Sequence, residues 1–483
     1  MSLDEDKPTW VEKFALFAVC CLAFSVSFGV ALVSVSCLLV VVASLFYFLK
    51  GQTSRSDSLF NSLYNRLFNK LFNKGFESPV KAEGAIKNHN SQPKSPAWFA
   101  GWSNAWSNGR SNGWSNGWSN DWVGLWTPRA VWVALLWVVI SILWTISSWH
   151  QVGAELIRTS RILVIPLSVY LIRNEAQALK VIHVWVWGQL IVILTSYWLW
   201  MGMQAPWATS HDAVQYFTPF SNTLDQPIMS AVTFGVIWFF RDYFIEIWGN
   251  LLGAGRSEQS SKKLKGSLAL YTVLCLFLVN VCFLMIGRSG MLSMILTLTV
   301  IVWWSLKPNY RMYAVVVPFL IFGILFAVSP KFQDRISKIP SEVMDYKKGR
   351  LDTSQAIRLE FWHRSVQAIA DKPLLGSGVG SWPQAYVIAL RGEQGIQADS
   401  PHQQFLLWWV EEGTVGFLLL FAVYASIFRD ALKLEPRAKS ALIGTLNVLF
   451  FTSLMNCPLQ GAGISEFFCL IVGALMAFKR LPD

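Results

Sequence analysis

The sequence predicts an all-α polytopic membrane protein, with about twelve transmembrane helices and a large, mainly helical loop between helices nine and ten. Three observations carry that prediction. The chain of 483 residues is 53% hydrophobic, only 14% charged and holds 25 Trp, a composition that belongs to membrane proteins. Apolar runs of about 20 residues recur along most of the length, as crossing a hydrocarbon core demands of a helix. Lys and Arg gather in alternate loops, in keeping with the positive-inside rule. The net charge of +11 would suggest nucleic acid in a soluble chain. Here it reflects that bias and contact with anionic membrane lipids, and no nucleic-acid partner is expected.

Met1 to Trp10 is polar and partly acidic, unlike the start of a cleaved signal peptide. Trp10 to Lys50 then holds two helices with a tight turn near Gly29. Residues 51–128 break the pattern and read as a cytoplasmic low-complexity and amphipathic insert. In its first part Leu59, Leu63, Leu67 and Leu71 recur beside Phe60, Tyr64, Phe68, Phe72 and Phe76, with Arg66, Lys70 and Lys74 between them. A four-residue step drifts slowly round a helix of about 3.6 residues per turn, so a short amphipathic helix with a basic face is expected on an anionic leaflet. In the second part Trp98, Trp102, Trp106, Trp114, Trp118, Trp122 and Trp126 recur, with Arg110 in the missing slot and Ser-Asn-Gly as filler. Poor helix formers make this a repeat-expanded linker, with membrane-surface contact through Trp as the alternative.

Spanning helices follow at 129–149, 157–173, 178–201, 226–247, 267–286, 290–306 and 311–329. A polar segment from Lys331 to Pro401 comes next, then three more helices at 403–428, 438–456 and 461–478. The chain thus divides into the first two helices (1–50), the insert (51–128), helices three to nine (129–329), the loop domain (330–401) and helices ten to twelve (402–483). With a cytoplasmic N-terminus, Arg256, Lys262, Lys263, Lys265, Arg429, Lys433, Arg437, Lys479 and Arg480 all fall inside, and the outer loops 202–225 and 457–460 hold no Lys or Arg. The loop domain then lies outside, which in a Gram-negative cell is the periplasm; long loops translocate largely regardless of charge. Cys20, Cys21, Cys37, Cys275, Cys282 and Cys469 lie in or at the ends of apolar runs and Cys457 near a helix end. None has a CxxC partner, so neither a disulfide framework nor a zinc site is expected.

Arg158 and Arg161 sit at the outer end of the fourth helix, and Arg288 in a Gly-Arg-Ser-Gly turn between helices seven and eight. Arg at mid-membrane costs about 2.5–3.5 kcal/mol on insertion scales, so such residues face a cavity and a partner or snorkel to headgroups. The functional reading is a clamp for phosphate or pyrophosphate, which the guanidinium fork fits. At Arg288 the free N–H groups of a helix start add to it. Among the histidines, His89 lies in the insert and His183 near the inner end of the fifth helix, while His150, His211, His363 and His402 map to the outer side. No pair has metal-ligand spacing, and no metal is expected. His402 follows Pro401 in what reads as the first turn of a helix, with Asp399 and Ser400 as N-cap candidates. A helix N-terminus disfavours imidazolium, which predicts a neutral His402 able to accept a proton. The plain alternative is an inert interfacial histidine. Further back, residues 358–382 read as an amphipathic helix with Leu359, Trp362, Val366 and Ile369 on its apolar face, followed by a Pro-Gly turn. Gly376, Gly378 and Gly380 lack the GK[ST] ending and preceding strand of a phosphate loop.

The order of these features resembles the O-antigen ligase family, which shares its core with O-antigen polymerases and bacterial O-linked oligosaccharyltransferases. The residues that carry the resemblance are SNTLDQP at 221–227, GRSGML at 287–292, RLEFWHRSVQAIADKPLLGSGVGSW at 358–382 and SPHQQFLLWWVEEGTVGFLLL at 400–420. Glu411, Gly413 and Gly416 fit the family's Glu-x-Gly-x-x-Gly pattern. The insert at 51–128 has no counterpart. The resemblance implies an inverting, metal-independent glycosyltransferase without a cofactor: an O-antigen ligase of lipopolysaccharide biosynthesis. Such an enzyme moves a glycan from undecaprenyl pyrophosphate to lipid A-core at the periplasmic face of the inner membrane. Carried over by position, it implies His402 as general base on the acceptor hydroxyl and Arg288 as pyrophosphate clamp. Arg161 would partner Arg288 with Arg158 beside them, and Arg358, Glu411 and Gln403 would lend support. Within the superfamily the alternatives are a polymerase, whose acceptor is a growing glycan, and a protein O-oligosaccharyltransferase, whose acceptor is Ser or Thr. Ending shortly after its last helix, the sequence leans away from the latter. A membrane transporter is the alternative outside it, disfavoured because the charges cluster at the outer face and not at the midplane.

Overall fold

The computed structural model describes residues 10–28, 30–52, 124–208, 211–220, 223–253, 259–285 and 287–478. The leucine repeat, the Trp repeat up to Trp122, His89, Ser221, Asn222, Arg256, Lys479 and Arg480 lie outside the described residues. Among the described residues every regular element is a helix. α1 (Trp10–Ser25) and α2 (Val30–Gln52) form a hairpin, and α3 (Trp126–Ile140) continues through a 3-10 turn to Trp144. α4 (Trp149–Ser160), a 3-10 turn and α5 (Val164–Leu171) precede α6 (Glu175–Trp200) and the short α7 (His211–Tyr216). α8 (Asp225–Phe239), α9 (Arg241–Leu252), α10 (Gln259–Val279), α11 (Arg288–Ser305) and α12 (Val317–Val328) follow. The loop domain holds α13 (Pro330–Ser337), α14 (Ile339–Lys347), α15 (Ser354–Asp371) and α16 (Trp382–Ala389). α17 (Gln404–Leu432), α18 (Pro436–Met455) and α19 (Ile464–Leu475) complete the order.

Seven helices among the described residues are long and apolar enough to cross a membrane, or eight if the bent pair α8–α9 counts as one span. Two segments expected as single spans are broken. The expected helix 157–173 is an amphipathic α4, a 3-10 turn at Arg161–Leu163 and the short α5. Pro166 has no N–H to give the carbonyl of Ile162, so an unbroken ladder is not available there. At its other end α4 is set by a capping box between Ser148 and Gln151. The expected helix 226–247 bends by 86° at Phe240. Beyond the bend Arg241, Asp242, Glu246 and Asn250 form an exposed face, while Phe244, Trp248 and Gly249 are buried and α9 packs on α10. Four polar side chains on one face suit a helix lying along an interface better than one crossing hydrocarbon.

The loop domain seats on the bundle through a small core of its own. Phe361 of α15 meets Trp382 and Tyr386 of α16 edge-on, with centroids 5.5 and 5.4 Å apart. Leu407, Val410 and Cys457 close this core from the α17–α18 side. The buried face of α15 is therefore not the one expected: Val366 is 57% exposed, and Ala356, Phe361, Ser365 and Ala368 point inward with Ile369. Two charged residues also lie on that face. Arg364 donates to Glu360 at 2.7 Å and to Glu393, so a buried charge is matched on both sides. Polarity alone misassigns such a face because the ion pair hides the charge.

α17 is kinked. Gly413 sits at φ 66°, ψ −169° inside the helix, and the bend frees backbone groups that an α-helix would have paired. The glycine-rich loop takes them up. Ser377 N donates to Val410 O at 2.9 Å, Gly378 N to Glu411 O at 2.8 Å, and Thr414 N to Pro373 O at 2.9 Å. Only backbone fits in this space: a Cβ on Gly413 would lie 2.1 Å from the Leu374 carbonyl oxygen, and one on Gly376 would lie 2.5 Å from that of Glu411. The end of α3 is drawn in as well, with Trp137 Nε1 on Glu412 O at 3.1 Å and Ile146 N on Ser377 O at 3.1 Å.

Gly413→Ala should therefore destabilise the protein by about 2–4 kcal/mol, combining a strained left-handed residue with an overpacked contact. Gly153→Ala, on α4 with nothing within 4 Å of the added carbon, should be neutral or slightly stabilising. Thermal unfolding of the solubilised protein separates the two. Equal melting of Gly413→Ala and the parent would show that the loop does not depend on the kink.

Candidate active site

His402 lies between α15, α17 and α18. Its backbone is left-handed, φ 53°, which costs a non-glycine residue on the order of 1–3 kcal/mol and persists only where neighbours impose it. The neighbours are identifiable. Trp362 Nε1 donates to Pro401 O at 3.1 Å. The Gln403 side chain caps α17 by accepting from Leu406 N. Gln404 N donates to Asn456 O at 3.1 Å, and Gln404 Oε1 accepts from Leu459 N at 3.1 Å. The half-buried imidazole lies against the Phe361 ring, centroids 6.2 Å apart, and hydrogen-bonds the Asn456 side chain. The expected cap is thus displaced. Gln403, not Asp399 or Ser400, is the N-cap of α17, and His402 precedes the helix instead of standing in its first turn. Its neutrality survives with a different cause. Burial pushes its pKa down and the Arg358 guanidinium pushes the same way, against the Asn456 hydrogen bond.

The arginines separate into two groups. Arg288 opens α11 behind the N-cap Gly287 and grips Glu342 of α14 with both prongs of its fork, Nη1 to Oε2 at 3.1 Å and Nη2 to Oε1 at 3.0 Å. Arg358, on α15 one turn before Trp362, has no hydrogen-bond or ion-pair partner among the described residues. It is half-buried, and its pKa is lowered by that burial and then by Arg288, while Glu342 and Cys457 work the other way. Arg288, Arg358 and His402 therefore share one electrostatic environment. Arg161 and Arg158 do not enter it. Arg161 Nε pairs with Glu466 at 3.1 Å and its Nη1 holds Gln460 O. Arg158 pairs with Glu155 at 3.5 Å and with Asp399 at 3.4 Å. They brace the chain on either side of the site, Asp399 ahead of His402 and Gln460 beyond Asn456. Arg161, expected beside Arg288, is held by Glu466 and Gln460, and the guanidinium that Arg288 influences is that of Arg358. Glu411 is buried and accepts from Trp382 N at 3.1 Å, which ties it to the start of α16.

Two residues of the site carry no signal in the sequence. Asn456 follows the C-terminus of α18 with no motif around it, and Glu342 lies in a polar stretch without apolar periodicity. Chemically the arrangement offers an imidazole that can accept a proton and a free guanidinium beside it. A second guanidinium stands next, its fork filled by a carboxylate.

A family model described as O-antigen ligase matches residues 273–421, a stretch that holds Arg288, Glu342, Arg358, His402, Gln403 and Glu411 and leaves out Arg158, Arg161 and Asn456. An uncharacterized protein of Haemophilus influenzae is 25% identical over 123 residues, 24% of this chain and 31% of that protein.

The Arg358 cation can be tested through the histidine. Arg358→Ala should raise the His402 pKa toward the ordinary value of about 6.5, followed by NMR titration of the imidazole. Because the folded pKa lies below the unfolded one, the unfolded chain binds more protons in that window. His402 thus costs stability as the pH falls below about 6.5, and the variant should lose less there. An unchanged titration would show that Arg358 does not face the imidazole.

Proposed function

We propose, on the match of residues 273–421 to a family model described as O-antigen ligase, that the protein is an O-antigen ligase of the bacterial inner membrane. It transfers a glycan from undecaprenyl pyrophosphate to a hydroxyl of lipid A-core oligosaccharide. In this reading twelve spans place the loop domain 330–401 and His402 at the periplasmic face. The observation that supports it most is that His402, its pKa lowered by burial and by the Arg358 guanidinium, is electrostatically linked to an arginine that forms no ion pair among the described residues, and on which Arg288 acts in turn.

The chemistry is a displacement at the anomeric carbon. The acceptor O–H gives its proton to the free imidazole nitrogen of His402 as the oxygen forms its bond to that carbon. The bond from carbon to the pyrophosphate oxygen breaks, and undecaprenyl pyrophosphate leaves with the electron pair. Attack from the face opposite the leaving group inverts the configuration. Pyrophosphate is already a good leaving group, so positioning and charge stabilisation supply most of the rate. Arg358 and Arg288 provide that charge. Asn456 accepts from one imidazole nitrogen and so leaves the other with its lone pair toward the acceptor. An amide partner, unlike a carboxylate, does this without much raising the pKa of the base.

Purified protein, undecaprenyl-pyrophosphate glycan and lipid A-core, mixed with EDTA, should give ligated product. Absence of product would remove the ligase reading, and product with a free glycan acceptor instead would favour a polymerase. His402→Ala should cut the rate by about 10²–10⁴-fold, while His150→Ala should leave it near the parent. Asn456→Asp should move the acidic limb of the pH–rate profile to higher pH, since a carboxylate holds the proton on His402. A profile that stays in place would separate Asn456 from the base.

A further inference from the structure

The Arg288–Glu342 contact is formed where the proposed donor needs Arg288 free. A guanidinium fork has one bidentate face of this kind, and carboxylate and phosphate oxygens compete for it. Glu342 already fills it at 3.0 and 3.1 Å. Its carrier helix α14 buries none of its own residues and packs on α15. No side chain of α14 is fully buried, and besides the ion pair it is held by packing on α15 and by the hydrogen bond of Tyr346 to Glu360.

The charges do not balance. Arg288 and Arg358 are two cations in one field, and Glu342 is the carboxylate facing them, felt by both. Half-buried cations are costly when uncompensated. A pyrophosphate diester is a dianion: it would neutralise both guanidinium groups, where Glu342 neutralises one.

We propose that Glu342 is an exchangeable stand-in for the donor's pyrophosphate, bound to Arg288 in the empty site and released when the donor arrives. The inference rests on the phosphate role assigned to Arg288 above. The unpartnered Arg358 is the first point of attachment. The second phosphate then takes the Arg288 fork, and Glu342 withdraws with α14. The exchange keeps two neighbouring guanidinium groups from facing each other bare between turnovers. It also links the position of α14 to occupancy of the site. Donor and Glu342 are mutually exclusive on Arg288, so removing the carboxylate must strengthen anion binding.

The test is titration of the full-length protein in detergent with inorganic pyrophosphate. Glu342→Gln keeps the size of the side chain and removes its charge, and it should bind pyrophosphate at least about tenfold tighter than the parent. Glu342→Asp, which keeps the charge on a shorter arm, should fall between the two. The gain should vanish in the Arg288→Ala, Glu342→Gln double variant. Equal or weaker binding by Glu342→Gln, no binding by either form, or a gain that survives loss of Arg288 would overturn the proposal. The transfer assay separates this from the ligase reading. Product formation without a binding gain removes the exchange and leaves the ligase. A binding gain without product keeps the exchange and removes the acceptor chemistry.

Discussion

The kink at Gly413 is the constraint on which the site depends. A helix that breaks its ladder within the bundle must find other partners for the freed carbonyls. Here they are found in the backbone of residues 373–378. That exchange ties the loop domain to α17 through groups that no side-chain substitution can remove. The same stretch is stitched to the end of α3: Thr145 Oγ1 donates to Val379 O at 2.9 Å and Val379 N to Ser141 Oγ at 3.1 Å. α15 and α16 are thereby held over the first half of α17, and the strained backbone of His402 is fixed where α15 and α18 meet it. Three glycines that resemble a phosphate loop in spacing serve the approach of one backbone to another.

Hydrophobic runs made most of the fold legible in advance, because a helix surrounded by lipid or apolar protein has to be apolar along its length. The ends of α6, α11, α17 and α18 fall within a few residues of the expected spans, while α3 with its 3-10 turn stops at Trp144, five residues short of its expected end. The failures have local causes. Pro166 breaks one span, and an exposed polar face turns another aside at Phe240. The α15 face was misread because Arg364 and Glu360 are buried as a pair, and charge normally marks the outside. His402 and Arg288 stood out in the sequence through the motifs that carry the resemblance. Which arginines converge on the histidine did not, since that depends on which carboxylates the fold brings to each. Asp399, Glu155 and Glu466 lie at very different distances along the chain from the arginines they neutralise.

Pairing is what sorts the arginines. Arg158, Arg161 and Arg364 each meet a carboxylate and hold segments together. Arg358 forms no ion pair among the described residues; Glu342 acts on it only at a distance, alongside another guanidinium, and Arg358 in turn acts on His402. A half-buried guanidinium without an ion pair costs stability that the paired arginines do not.

The span at Pro308–Val328 has only 6% of its central window buried and packs mainly on α11 and on α13. Its surroundings would be acyl chains on nearly every side. Another part of the bundle is built differently: α3 and α17 are joined near one end through Glu412 and near the other by Asp430, whose carboxylate accepts from Thr127 N at 2.8 Å and Thr127 Oγ1 at 2.7 Å. The two parts therefore differ in stiffness. Moving the first exchanges lipid for lipid and costs little, while moving the second breaks buried polar bonds. The compliant part of the bundle is thus the one whose solvent is lipid, and the stiff part is the one stitched by its own polar groups.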